Sequence, residues 1–187
     1  EFEELKLHGI TYSGKRLLDY IEDVVKMAYF LPEEDSMKDW CMDFIWYLWC
    51  GPISPLFGKD RMATFETYFV ADKATHKEHM NPYYKLSRDE AACDKILKEF
   101  GLPIDGSHII NGHVPVKSKD GESPIKGNGK LYVIDGGLSK AYQPKTGIAG
   151  YTLIFNSHHL ALAEHKPFNP NEENTPKVEI VEKMKNR

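Results

Sequence analysis

Two side chains in this 187-residue sequence stand where chemistry is often done. His113 closes the string Ile109-Ile110-Asn111-Gly112-His113, and Asp135 sits in Leu131-Tyr132-Val133-Ile134-Asp135-Gly136-Gly137. Each lies where a short apolar run, too short for a helix, breaks at glycine. The two runs read as buried strands whose ends deliver an imidazole and a carboxylate to a common edge. Glycine there lets the backbone turn sharply and approach a ligand closely. In open α/β sheets, such strand ends are where sites are built. Taken alone, an Asn-Gly-His string favours the plainer reading of an ordinary turn beside a surface histidine. His76 and His79 are three apart, but a metal needs more ligands than two and no third is evident nearby, so they read as solvated surface. Cys41, Cys50 and Cys93 make neither a CxxC pair nor an even framework and read as reduced thiols.

The elements that must position these groups follow from periodicity. Residues 1–12 read as extended, with a turn at His8-Gly9. From Ser13 a helix carries Leu17, Leu18, Ile21, Val24, Val25 and Ala28 on one face, and Pro32 stops it. Glu33-Glu34-Asp35 reads as a solvated loop. Ser36 can cap a second helix, which holds Trp40, Phe44, Ile45, Tyr47 and Leu48 as core and ends at Gly51-Pro52. A polar loop rich in Gly and Pro runs from Gly51 to Arg61, too long for a tight turn. Thr64 to Val70 fits either a short helix or a strand. Ser87-Arg88-Asp89-Glu90 has the pattern of a capping box, opening a helix that runs through Ile96 and Leu97 and stops at Gly101. Strands are expected at Ile109-Ile110 and Leu131–Ile134, around an exposed loop from Lys117 to Asn128. A hairpin of Tyr151–Phe155 and Leu160–Ala163 turns through Asn156-Ser157-His158-His159. Val178–Val181 can add an edge strand. The expected organisation is a mainly helical segment with a long loop over 1–100, a strand-rich part over 101–168 and a tail with an edge strand over 169–187.

Composition bounds the function. Hydrophobic residues make up 41% and charged residues 28%, as in a folded globular protein rather than a disordered one. A net charge of −4 gives no basic footprint for nucleic acid. No apolar run approaches the length that spans a membrane.

Longer strings carry a resemblance. His108 to Lys117, Ile134-Asp135-Gly136-Gly137-Leu138-Ser139-Lys140-Ala141-Tyr142 and Thr146-Gly147-Ile148-Ala149-Gly150-Tyr151 resemble the C-terminal part of the class III fructose-1,6-bisphosphatases. These bacterial enzymes are related to the calcineurin-like metallophosphoesterases. Leu48-Trp49-Cys50-Gly51-Pro52-Ile53-Ser54-Pro55-Leu56-Phe57-Gly58-Lys59-Asp60 and Met62-Ala63-Thr64-Phe65-Glu66 extend the likeness upstream, so that it runs from about Thr11 to Phe168. The fold implied is α/β: the C-terminal part of a metallophosphoesterase-type α/β sandwich, with helices in the first half, strands in the second, and residues 101–168 as the C-terminal half of the phosphoesterase domain.

The resemblance implies a cytoplasmic hydrolase of gluconeogenesis, converting fructose 1,6-bisphosphate to fructose 6-phosphate and phosphate at a dinuclear manganese site. It implies that His113 is a metal ligand; Asp135 reads first as a strand-end turn carboxylate, with orienting His113 as its second reading. The family's Asp-x-His, Gly-Asp-x-x-Asp-Arg and Gly-Asn-His motifs, which supply most of the ligands, are absent from this sequence. The expectation is therefore a C-terminal fragment, inactive alone, whose partner is the missing N-terminal part of the same polypeptide; a homo-oligomer is compatible with it. Arg61 and Lys140, then Lys59, Lys117 and Lys73, are the candidate partners for substrate phosphate, although each also reads as an ordinary solvated cation. Two other readings stay open: a related metallophosphoesterase with a different phosphorylated substrate, or a non-catalytic regulatory module that binds sugar phosphates.

Overall fold

Only His8 and Gly9 separate the first two strands, and both have positive φ (49° and 80°). That is the backbone of a two-residue hairpin loop, so the extended start of the chain closes on itself. Strand β1 (Glu4–Leu7) pairs antiparallel with β2 (Ile10–Ser13), with Leu7 opposite Ile10. In this computed structural model residues 2–51, 54–141, 143–147, 150–171, 173 and 177–183 are described. They fall into two units, Glu1–Tyr84 and Lys85–Arg187.

In the first unit, helix α1 (Gly14–Phe30) buries Leu17, Ile21, Val24 and Ala28. Leu18 and Val25, expected on the same face, are exposed instead. One step round the helix from Leu17 and Val24, they lie beyond the strip that α2 covers. The residue before Pro32 is extended (Leu31, φ −67°, ψ 148°), which ends the helix where the proline demands it. Helix α2 (Ser36–Cys50) is capped by Asp35, not by Ser36: the Asp35 carboxylate accepts from the Met37 amide at 2.8 Å. An acidic cap also suits the positive end of the helix dipole. Cys41, Phe44 and Leu48 of α2 join Leu5 and the α1 residues in one core, with Trp40, Ile45 and Tyr47 packed against it. Trp40 stacks on Phe44, with ring centroids 5.3 Å apart.

The segment after α2 folds back on itself. Buried Ser54 donates to the Leu48 carbonyl at 2.7 Å, Lys59 bridges to Met80, and Asn81 donates to the Gly58 carbonyl at 2.9 Å. Thr64–Phe69 is helix (α3), and Tyr83–Leu86 is one further helical turn (α4).

The second unit opens on α5 (Glu90–Glu99), whose N-cap is Asp89. The N-cap position thus falls two residues beyond the Ser87 of the expected capping box. The Arg88 amide bonds the Lys85 carbonyl and the Asp89 amide bonds that of Leu86, so Ser87 belongs to the turn before the helix. Gly101 (φ 69°) terminates α5 as expected, its amide bonding the Lys98 carbonyl at 2.9 Å. Strands β3 (Ile109–Asn111), β4 (Ile125–Lys126) and β5 (Leu131–Val133) form a sheet of order β3-β5-β4, in which β3 and β5 are parallel. After the short helix α6 (Gln143–Thr146), β6 (Tyr151–Phe155), β7 (His159–Glu164) and β8 (Lys177–Lys183) form an antiparallel sheet with β7 in the centre. Tyr132, Leu160 and Leu162 make a core common to both sheets, to which Ile125, Ile134, Tyr151, Leu153 and Val181 add. His108 ties them together, its ring meeting the Gly129 carbonyl at 3.0 Å and Glu182 of β8 at 2.6 Å. The result is mixed α/β, helices first and strands second, with no helix among the described residues long and apolar enough to cross a membrane.

Candidate functional site

Because β3 and β5 are parallel neighbours, with Asn111 opposite Val133, their C-terminal ends lie at the same edge of the sheet. The ladder continues one step beyond the last pair, the Ile134 amide donating to the Asn111 carbonyl at 2.9 Å. His113 and Asp135 therefore leave the sheet together, as the two apolar runs suggested.

How the backbone turns there differs from expectation. Gly112 does not have a positive φ, and a side chain added to it would meet nothing within 4 Å. The sharp turn is made by His113 itself, at φ 68°, and closed by the Val114 amide donating to the Gly112 carbonyl at 2.8 Å. A hydrogen bond from i+2 to i around a residue of positive φ is a strained γ-turn. A non-glycine residue held this way costs about 1–3 kcal/mol, and such residues cluster at functional sites. The His113 side chain is exposed, and no described residue hydrogen-bonds its ring.

Asp135 is half-buried. Its carboxylate accepts from the Gly136 amide at 2.6 Å, and its carbonyl accepts from the Val116 amide at 3.1 Å. No hydrogen bond joins it to His113. The glycine that permits close approach is Gly137: a Cβ there would collide with the Gly147 carbonyl oxygen and Thr146 Oγ1. Ser118 Oγ donates to the Thr146 carbonyl at 3.1 Å, and the Tyr151 amide donates to the Ile134 carbonyl at 3.1 Å. The segments after β3, after β5 and around α6 thus cross at one place, beside the two strand ends. Within the strings that carry the resemblance, Pro52, Ile53, Tyr142, Ile148 and Ala149 lie outside the described residues.

The cations divide between the units. In the first, Lys59 pairs with Glu78 at 2.6 Å, Arg61 lies 3.6 Å from Asp60, and Lys73 is exposed at the start of a 3-10 turn. The Lys59 ammonium, then the Ala63 amide, holds Glu78 below the usual glutamate range. Asp60 is pulled down to about 2, first by the His79 amide and then by its ring, 2.9 Å away. The His76 ring meets the Val70 carbonyl at 2.8 Å, so the two histidines face different partners. In the second unit Lys117 follows Val116, directly beside the Asp135 crossing, and Lys140 sits exposed in the turn after Gly137.

Sequence reasoning missed a groove of about 670 Å³ in the second unit, lined by Arg88, Lys117, Glu122, Lys126 and their neighbours. Residues 117–128, expected as an exposed loop, hold a 3-10 turn (Ser118–Asp120), β4 and a buried glycine, Gly127. Gly127 is buried because Cys93 lies beneath it, with Sγ 2.6 Å from where a Cβ would stand. The signal was present as Glu122 and Lys126, a carboxylate and an ammonium four residues apart. Among the described residues no group of three or more His, Cys, Asp or Glu side chains could hold a metal ion.

Comparison with known proteins adds the remaining observation. Residues 1–186 match the family model described as Firmicute fructose-1,6-bisphosphatase. The chain is 53% identical over 190 residues, its whole length, to the fructose-1,6-bisphosphatase class 3 of Finegoldia magna. It is 56% and 59% identical, over 89% of its length, to the proteins of that name from Clostridium tetani and Clostridium botulinum strain Loch Maree. It spans between 25% and 29% of the length of these relatives. No solved structure matches.

Proposed function

The chain belongs to the Firmicute fructose-1,6-bisphosphatase family, and from that premise we propose that it forms part of an enzyme hydrolysing fructose 1,6-bisphosphate to fructose 6-phosphate and phosphate, in the cytoplasm and in the service of gluconeogenesis. Within that enzyme it is the C-terminal portion, and the rest of the same polypeptide is its partner.

The observation that supports a catalytic role for this portion is the backbone at His113. An exposed imidazole is held at φ 68° on the end of a parallel strand, beside the Asp135 strand end. A fold keeps such a conformation only when the surroundings over-determine it. A neutral imidazole in that place offers a lone pair to a divalent ion, with its other nitrogen left for an orienting acceptor.

The described residues do not by themselves make a metal centre, since no three potential ligands cluster. What this chain contributes is one ligand, His113, to a manganese site completed by other parts of the polypeptide, with the Asp135 carboxylate within the same strand-end neighbourhood. Lys117 and Lys140 flank that edge as cations for phosphate, while Arg61 and Lys59 stay candidates from the first unit.

The test is phosphate release from fructose 1,6-bisphosphate, titrated with manganese, by a polypeptide of the relatives' length that carries this sequence. His113→Ala should lower turnover roughly 100-fold or more, as when a major electrostatic stabiliser is lost, with the fold retained. His158→Ala and His159→Ala should leave it near normal, because His158 lies in the β6–β7 turn and His159 at the start of β7, where their partners are Ser157 and Asn156. Residues 1–187 alone should release no phosphate. Normal turnover in His113→Ala, or turnover by residues 1–187 alone, would sink the reading.

A further inference from the structure

Glu122 is the centre of the groove. Its carboxylate accepts from Arg88 Nη2 at 3.0 Å, from Lys126 Nζ at 2.8 Å and from the Lys117 amide at 3.0 Å. Burial pushes this carboxyl up, but the Lys117 amide, Lys126 and Arg88 outweigh it, and Glu122 stays below the usual glutamate range. Three chain segments are gathered on one oxyanion: the turn before α5, the exit from β3, and β4.

Glu122 does not exhaust these donors. A guanidinium carries five N–H groups and an ammonium three. Among the described residues, Glu122 is the only partner of the Arg88 and Lys126 heads, and none engages the Lys117 ammonium. The Arg88 side chain is 65% exposed, so it can turn toward a second anion while Lys126, only 16% exposed, keeps its pair with Glu122. Asp120, also on the wall, suits hydroxyl groups rather than phosphate, and Asn128, whose amide nitrogen donates to Glu90 at 2.9 Å, keeps its carbonyl oxygen for a hydroxyl. A volume of about 670 Å³ lies in the range of small-molecule sites.

We infer that this groove binds a phosphorylated sugar, with its phosphate on Arg88 and Lys117 and its hydroxyls against Asp120 and Asn128. A dianionic phosphate suits the pair, since arginine offers a fork of donors and lysine a point charge. Position supports the assignment. Lys117 is the fourth residue after His113, so their Cα atoms lie at most about 14 Å apart, and the Val116 amide is bonded to the Asp135 carbonyl. Two sources share this chemistry: the uncleaved phosphate of the proposed substrate, and a separate sugar-phosphate effector. The first rests on the hydrolase reading; the second does not.

The test is a titration of the isotope-labelled 187-residue chain, followed through its amide resonances. Fructose 6-phosphate should shift Gly121, Gly127 and Asn128 saturably, fructose should not, and inorganic phosphate should bind more weakly. Arg88→Gln and Lys117→Gln, both at exposed side chains, should each weaken fructose 6-phosphate roughly ten-fold or more, the scale of one charge-assisted hydrogen bond. No shift in the groove, unchanged affinity in the double variant, or equal binding of inorganic phosphate (an adventitious ion only) would each overturn the inference. In a polypeptide of the relatives' length, a raised KM with unchanged kcat in Arg88→Gln identifies the substrate's phosphate. An unchanged KM in Arg88→Gln, with fructose 6-phosphate binding lost, identifies an effector. Groove binding without any hydrolysis would remove the hydrolase reading and leave the groove standing.

Discussion

Replacing His113 by glycine and, separately, by alanine divides the role of its backbone from that of its ring. Both changes remove the imidazole, and because the side chain is exposed neither removes much packing. They differ in the conformation they must adopt at φ 68°. For alanine the left-handed region costs about 1–2 kcal/mol, whereas glycine enters it freely. Glycine gives back about 0.5–1 kcal/mol through the extra chain entropy it loses on folding. The glycine variant should therefore be more stable than the alanine variant by about 0.5–1 kcal/mol, with the histidine protein near alanine. The three tryptophans all lie in the first unit, so their fluorescence does not report this change. Amide exchange at Val133 and Ile134 does, because their protons are held by the Pro124 and Asn111 carbonyls around β5. Protection there should rise about two- to five-fold from alanine to glycine. Equal protection, or more in alanine, would refute the strained turn. The functional half of the experiment is turnover in a polypeptide of the relatives' length, which should fall in both variants. A glycine variant that gains stability and keeps its turnover would show that the strain has nothing to do with catalysis.

Three further outcomes are expected. Gly137→Ala places a Cβ against the Gly147 carbonyl and Thr146 Oγ1, and should destabilise the second unit by about 1–3 kcal/mol in urea titration; a neutral result would contradict the close crossing. Glu122 is held below the usual glutamate value of 4.5, so the unfolded chain binds its proton more tightly, and the stability it contributes is present above about pH 4.5 and lost as pH falls through the folded value. Glu122→Gln should accordingly flatten the acid limb of the exchange-detected stability curve, and an unaltered limb would count against the hub. His79→Ala removes the ring that helps hold Asp60 at about 2, so the Asp60 carboxyl, followed by NMR titration, should move up toward 3.8, and no movement would rule out the pairing.

Much of the fold was legible because local chemistry and tertiary demand agree. The turn at His8-Gly9, the stop at Pro32, the termination at Gly101 and the Asn156–His158 turn each follow from a residue whose backbone preference leaves few alternatives. The misses share a cause. Leu18 and Val25 fit the helical period, but the period cannot say how wide a strip the neighbouring helix covers. Ser36 and Ser87 are good caps in isolation. The N-cap position falls instead to Asp35, whose carboxylate makes the cap bond, and to Asp89, whose side chain makes none, because the preceding turns fix where each helix begins. The groove was invisible for a different reason: Arg88 meets Glu122 across 34 residues of sequence, a pairing that spacing along the chain does not encode.

At the candidate site, His113 and Asp135 leave neighbouring strand ends as expected, but the backbone roles around them differ from those expected. Glycine was expected to make the turn after β3, yet Gly112 sits in open space with no positive φ, and the left-handed position next to it is held by histidine. Folding alone would favour the opposite arrangement, with glycine at 113 and any small residue at 112. Under the proposed role, keeping an imidazole at the strained position trades stability for a ligand at the strand end. The neighbouring geometry is consistent with that trade. Gly137, where glycine is sterically required, packs Thr146 and Gly147 against the end of β5 and fixes the Asp135 edge, while His113, at the parallel edge beside it, stays exposed and unbonded. A rigid crossing next to a strained, uncommitted imidazole is the arrangement expected when the scaffold is finished and the ligand is not.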